Sequence, residues 1–212
     1  MSDSNSAERL HVVVAITGAS GARFGLRTIR ALLECGQKVS LLISPSGLKV
    51  LNYETGSEWN GDAPELTNSL RAYFQSDRLD YYAYDNLFAS IASGSSAPDA
   101  VVIAPCSMGT IGRIAAGLSS NLIERSADVA LKERRQLVFV PRETPLSTIH
   151  LENLLRLSRA GAQILPAMPG YYHHPESLSD LDDFIAGKIL DALQIEHHLF
   201  RRWGTDVQEY ES

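Results

Sequence analysis

Three short stretches of this 212-residue chain carry residue types whose spacing could grip an anion. The first, Thr17-Gly18-Ala19-Ser20-Gly21-Ala22, stands between the apolar, β-branched run His11–Ile16 and the segment Ala22–Glu34, whose Phe24, Leu26, Ile29, Ala31, Leu32 and Leu33 keep helical spacing. A strand, a glycine turn and a helix in that order leave backbone N–H groups unpaired at the positive end of a helix dipole. The missing Cβ atoms at Gly18 and Gly21 let ligand oxygens approach them. The same turn is ordinary α/β architecture, so this stretch alone leaves ligand binding and plain chain reversal both open. The second, Cys106-Ser107-Met108-Gly109-Thr110, follows an apolar run at 100–104 and Pro105. Its Ser107 and Thr110 hydroxyls can cap the helix that begins there or hold a phosphate. The third, Pro141-Arg142-Glu143-Thr144-Pro145, ends an apolar run at 137–140. Its two prolines stiffen the loop, and a guanidinium held there can take a phosphate bidentately.

The elements that must position these loops read as alternating strands and helices. After Ala22–Glu34, Gly36 offers a helix stop, and Lys38–Ile43 is a second strand ending at Ser44-Pro45-Ser46. Strand, helix and strand in that length predict a parallel crossover. A short helix at 47–53, a polar segment at 54–64, a helical piece at 66–74 and a strand at 79–84 follow. The Ser, Ala and Gly of 90–98 predict a loop. The run 100–104 predicts a central strand whose ladder Pro105 ends. Residues 121–133 predict a helix, 137–140 a strand, 147–159 a helix, 162–165 a strand, and 166–175 an irregular loop that its prolines keep out of regular hydrogen bonding. A last helix starts at Ser179 beside Asp180, Asp182 and Asp183 and runs to Leu193. Strand-to-helix loops that share the carboxyl edge of an open sheet form the crevice in which such folds bind ligands. The chain therefore reads as one doubly wound, three-layer, flavodoxin-like parallel α/β domain over 1–212, with a flexible N-terminus at 1–9 and a C-terminal extension at 195–212.

Composition narrows the function. At 44% hydrophobic residues the chain can bury one sizeable core, and its net charge of -6 argues against general nucleic-acid binding. Residues 1–9 lack an apolar signal core and the apolar runs are strand-sized, which predicts a cytoplasmic protein without a membrane span. Cys35 and Cys106 make neither a disulfide framework nor a zinc spacing. The adjacent pairs His173-His174 and His197-His198 lack metal-ligand spacing, so no metal is expected. GxSxG is absent, which removes the serine-hydrolase elbow; no lysine follows a tyrosine by four residues, which removes the acid/base pair of short-chain reductases. Arg125, Lys132, Arg134, Arg135 and Arg142 form a basic concentration in this acidic chain, of which Arg134 and Arg135 read as solvated. A polar tail carrying Trp203 predicts packing against a neighbouring subunit.

Read together, the three loops, Ile43-Ser44, the segment 92–98, Asn121 to Arg135, His150-Leu151-Glu152-Asn153 and Pro169-Gly170-Tyr171-Tyr172-His173 resemble, in order, the UbiX-type flavin prenyltransferases over nearly the whole chain. That resemblance implies transfer of a dimethylallyl group from dimethylallyl monophosphate to N5 and C6 of reduced FMN, without a metal, to supply a UbiD-type decarboxylase. It implies Gly18, Ala19 and Ser20 along the flavin, with Ser20 near its reacting atom, and Ser44, Ser107, Met108, Gly109 and Thr110 at the ribityl phosphate. Arg125 and Arg142 add positive charge around the phosphates. Lys132, Arg142, Tyr172 and Lys188 bind the prenyl phosphate across a subunit boundary, in a homo-oligomer that the resemblance makes a dodecamer. Glu54 and Glu143 are the acidic partners and Trp203 the C-terminal aromatic. Glu143 either relays a proton to or from the phosphate or forms an ion pair that orients Arg142.

Breaking an allylic C–O bond puts negative charge on phosphate and positive charge on carbon, so the chemistry needs cationic donors, an electron-rich face and exclusion of water. Lys188, where some members carry arginine, keeps the charge without the planar fork, and Leu87 stands where some carry tryptophan. Two rivals remain. One is a flavin-dependent cysteine decarboxylase, whose asparagine-containing loop is replaced here by Pro105 to Thr110. The other is a non-catalytic FMN carrier serving a decarboxylase.

Overall fold

The computed structural model describes residues 9–204. The sheet has six parallel strands: β1 (His11–Ile16), β2 (Lys38–Ile43), β3 (Leu79–Tyr82), β4 (Ala100–Cys106), β5 (Gln136–Pro141) and β6 (Gln163–Ile164). Their order is β3-β2-β1-β4-β5-β6, so the winding reverses between β1 and β4. Among the described residues seven α-helices cover the two faces: α1 (Ala22–Glu34), α2 (Pro45–Thr55), α3 (Ala63–Phe74), α4 (Met108–Ala115), α5 (Leu122–Lys132), α6 (Thr148–Arg159) and α7 (Leu178–Ala192). The doubly wound, three-layer expectation is met, with the crevice at the switch point where such sheets bind ligands.

The alternation of β1 explains the layers. Val12, Val14 and Ile16 join one core with Leu26 of α1, Leu51 of α2, Leu70 of α3 and Ile185 of α7. Val13 and Ala15 join the other core with Ile111 of α4, Ile123 of α5 and Leu157 of α6. Both faces of the sheet are therefore buried, which is why its central strands read as continuous apolar runs. α1 and α7 are also tied by ion pairs of Arg23 with Asp182 and of Arg27 with Asp183.

Several boundaries differ from the sequence reading. Pro105 does not end the ladder of β4: the strand runs on to Cys106, which pairs with Pro141 across a register shift after Ile103. An irregularity of that kind removes the need for the N–H that proline lacks. The short helix expected at 47–53 runs over Pro45–Thr55, because Pro45 sits in the first turn and Ser44 accepts from Gly47 N. The last helix starts at Leu178, capped by Ser177 in a box with Asp180, so Ser179 lies inside it. Segment 90–98 is a loop carrying two 3-10 turns, Ser90–Ala92 and Gly94–Ser96. The flexible N-terminus expected at 1–9 falls, but for Arg9, outside the described residues, as does 205–212 of the C-terminal extension.

Candidate active site

The loops after β1 and β4 are joined by one buried side chain. Thr17 Oγ1 donates to the Pro105 carbonyl at 2.9 Å and accepts from Ser107 N at 2.8 Å, while Thr17 N donates to the same carbonyl at 3.2 Å. Thr17 is 1% exposed, so each of these bonds is made away from water. Thr17 has a structural role that its loop motif does not announce. The available signal was a hydroxyl placed directly at the end of an apolar strand, where a buried polar group must find partners.

The third loop reaches the same point. Arg142 Nε donates to the Ser20 carbonyl at 3.0 Å, and Arg142 N donates to Cys106 O at 3.3 Å. Gly18 and Ser46 bring in the loop after β2: a Cβ on Gly18 would lie 2.6 Å from Ser46 Oγ, so only glycine allows that approach. Ser44 caps α2 through Gly47 N at 3.0 Å, with its own Oγ 3.3 Å from Ser46 Oγ. Four strand-end loops thus meet at the rim, and Gly18, Ala19, Ser20, Ser44, Ser107 and Arg142 stand on them. Glu143 follows on the β5 loop, its carboxylate accepting from Thr144 N at 3.2 Å.

At the start of α1 the expectation of free N–H groups needs correction. Gly21 N and Ala22 N donate to the Glu54 carboxylate at 3.0 and 2.9 Å, so the last turn of α2 supplies the anion that this helix end favours. Gly21 takes a left-handed φ of 100°, which turns its amide toward that carboxylate. The start of α4 is different. Ser107 Oγ accepts from Thr110 N at 3.3 Å and lies 3.0 Å from Thr110 Oγ1, so both hydroxyls serve the cap. The amides of Met108 and Gly109, the first two of α4, have no intrahelical acceptor. A Cβ on Gly109 would meet nothing nearer than Arg113 at 3.7 Å, so Gly109 itself borders open space.

The remaining residues make local contacts within the chain. The Arg125 guanidinium donates to Ala92 O at 2.9 Å and pairs with Asp128 at 2.8 Å, so that it holds the 90–98 loop. Lys132 ends α5 just before β5 begins, at the opposite, amino-terminal edge of the sheet, and pairs with Glu133 at 3.2 Å. Tyr172 meets Trp203 edge-on with ring centroids 5.5 Å apart, and Lys188 on α7 lies 3.6 Å from Asp191. Glu124 on α5 is buried. Its carboxyl pays a burial penalty, but Arg113 and the Ser120 amide outweigh it and hold the group below the usual glutamate range.

Beside Glu54 a cleft of 370 Å³ opens between α1, α3 and α7, lined by Arg23, Arg27, Arg30, Tyr73 and Asp182. Arg23 and Arg27 are already paired there, and the cleft lies off the rim on which the loops meet. Among the described residues, no group of three or more His, Cys, Asp or Glu side chains is placed to hold a metal ion, and no helix is long and apolar enough to cross a membrane.

Comparison with known proteins fits this geometry. A family model of flavoproteins matches residues 1–200. The flavin prenyltransferase UbiX of Halalkalibacterium halodurans is 49% identical over 193 residues, 91% of this chain and 93% of that one. The chain belongs to the UbiX flavin prenyltransferase family. Two crystal structures of similar proteins, each 38% identical to this chain, share its fold. AnUbiX (PadA1), in complex with FMN and dimethylallyl pyrophosphate, superposes with a TM-score of 0.82 over 92% of this chain and 98% of its own. A dodecameric FMN-dependent UbiX-like decarboxylase from Escherichia coli O157:H7 superposes at 0.79 over 92% and 99%. The residues present suit FMN, whose phosphate is the kind of anion that the amides and dipole at the start of α4 favour.

Proposed function

We propose that this chain joins a dimethylallyl group from dimethylallyl monophosphate to reduced FMN and hands the product to a UbiD-type decarboxylase. The observation that carries the proposal is the meeting of the β1, β4 and β5 loops at the switch point, stitched by Thr17 and Arg142, beside the start of α4. Reduced FMN, when bound, supplies the electron-rich ring atoms that accept the allyl carbon.

The chain's own residues do the rest. Met108 and Gly109 amides, with the Ser107 and Thr110 hydroxyls and Ser44, bind the ribityl phosphate. Gly18, Ala19 and Ser20 line the ring. With Nε of Arg142 held by the Ser20 carbonyl, its terminal nitrogens can take the leaving phosphate, whose charge grows as the C–O bond breaks. Glu143, one residue on, moves a proton at that phosphate. Glu54 fixes the start of α1 and so the height of the Ser20 loop.

Lys132 stands at the far edge of the sheet in its own chain, which is the reason to assign the partner subunit's Lys132 to the prenyl phosphate. Arg125, which holds the 90–98 loop next to Lys132, adds positive charge around the phosphates with it. Tyr172, Lys188 and Trp203 form the prenyl-phosphate wall. The chain assembles as a homo-oligomer, for which we propose twelve subunits, and is assigned to the cytosol.

Anaerobic incubation with reduced FMN and dimethylallyl monophosphate tests this. The expected products are free phosphate and a flavin heavier by one isoprene unit. Bound but unmodified FMN would instead identify a carrier.

A further inference from the structure

The segment after α7 folds back along that helix, and one carboxylate anchors it. Arg202 donates to Asp191 through two nitrogens, at 2.7 Å to Oδ1 and 3.3 Å to Oδ2. His197 Nε2 lies 3.1 Å from Asp191 Oδ1, and Leu199 N donates to His197 Nδ1 at 3.2 Å. Because Nδ1 accepts, the ring proton sits on Nε2 and points at Asp191. Lys188 Nζ reaches the same carboxylate at 3.6 Å. Burial alone would raise the Asp191 pKa, but the hydrogen bonds and charge of Arg202, with the His197 hydrogen bond, outweigh it and lower it.

Apolar contacts complete the strap. A Cβ on Gly187 would lie 2.5 Å from Phe200 and 2.7 Å from His197, so the segment presses directly on the backbone of α7. Phe200 packs on Phe184 at 4.9 Å, and Phe184 meets Tyr172 at 5.8 Å and stacks on His173 at 5.1 Å. Trp203, one residue beyond Arg202, lies against Tyr172. Lys188 is one helical turn from Phe184 on the same face of α7.

We propose that Asp191 is a positioning residue for the prenyl-phosphate end of the site: it fixes the Lys188 ammonium and, through Arg202 and His197, holds the segment that lays Trp203 on Tyr172. The proposal rests on the prenyltransferase reading for the identity of the phosphate. It adds that one carboxylate sets both cationic and aromatic parts of that wall. A lysine has four rotatable bonds to freeze, so an anchored ammonium binds an anion at a smaller entropic cost than a free one. Simple charge subtraction predicts the opposite sign: removing the Asp191 charge would then tighten phosphate binding.

The test compares Asp191→Asn, Asp191→Glu and Gly187→Ala in a Trp59→Phe background, where Trp203 is the one remaining tryptophan of the two in the chain. Trp203 emission and anisotropy report the strap. Calorimetric titration of the FMN-loaded assembly with dimethylallyl monophosphate reports the anion. Asp191→Asn is expected to red-shift Trp203, lower its anisotropy and weaken the monophosphate about tenfold, the scale of one charge-assisted contact. Asp191→Glu should restore both. Gly187→Ala should free Trp203 sterically and weaken the monophosphate by clearly less than Asp191→Asn does, because the aromatic part of the wall is loosened while Lys188 and Asp191 are untouched.

An unchanged Trp203 signal in Asp191→Asn overturns the strap, and unchanged or tighter monophosphate binding overturns the link to Lys188. Equal loss of affinity in Gly187→Ala overturns that link too. A wild-type protein that binds monophosphate without transferring it refutes the prenyltransferase reading and leaves both Asp191 readouts decisive. If it binds none, that reading falls and the Trp203 signal still decides the strap.

Discussion

Replacing Thr17 with valine keeps the shape of the side chain and removes the hydroxyl that joins the β1 and β4 loops. Ser107 N loses its acceptor at 2.8 Å, whereas the Pro105 carbonyl keeps Thr17 N at 3.2 Å. The cost is therefore chiefly that of one buried donor left unpaired, about 1–3 kcal/mol, with little from the carbonyl. For a chain of this length about 2 kcal/mol lowers the melting temperature by roughly 4–8 °C. Because Ser107 opens α4, the same change should misplace the phosphate-facing amides and weaken FMN about tenfold, or about 1.4 kcal/mol. Differential scanning fluorimetry at matched protein concentration and a flavin-fluorescence titration measure the two effects. Thr17→Ser, which keeps the hydroxyl, should recover most of the FMN affinity. If Thr17→Val melts within about 1 °C of wild type, far inside the expected shift, and binds FMN normally, the stitch has no energetic role.

Glu54→Gln should destabilise the chain by about 1 kcal/mol at low salt and less at high salt, since it removes a charge from the α1 start; salt-dependent urea unfolding reads this. Gly25→Ala, which in an exposed helix would add about 1 kcal/mol of stability, should reverse sign here. Its Cβ would fall 2.4 Å from the Ala104 carbonyl and force α1 off the sheet, so thermal melting should show a loss of about 1–3 kcal/mol. Glu124 has a depressed folded pKa, so its stabilisation is complete above the ordinary value of 4.5 and fades as pH falls through the folded value. Unfolding of Glu124→Gln should show less loss of stability with acid than wild type over that range.

The sheet was legible because β1, β2 and the interior of β4 are buried on both faces and so read as unbroken apolar runs with glycine or proline at their ends. α1 was legible to the residue, since Gly21 and Cys35 bound a clean apolar stripe. What pattern could not show was partnership at a distance. Glu54 sits 33 residues from the amide it accepts from, and Thr17 is 90 from Ser107, so no local window contains either pair. Pro105 misled because a strand rule assumes an even ladder, and β4 shifts register there. The in-chain partners of Arg125, Ala92 and Asp128, could not be read from pattern, because Ala92 only becomes a neighbour once the 90–98 loop folds onto α5. The site residues on the rim came from strand-end logic. Lys132, Tyr172, Lys188 and Trp203 came from resemblance alone, as nothing in their local sequence points to a phosphate.

The central claim is that the loop tips after β1, β4 and β5 converge on the flavin, and a crystal structure of the chain grown with FMN tests it most directly. The account predicts the ring against Gly18, Ala19 and Ser20 and the phosphate on the Met108 and Gly109 amides. FMN seated instead in the cleft between α1 and α3, with the rim free of it, would contradict the account.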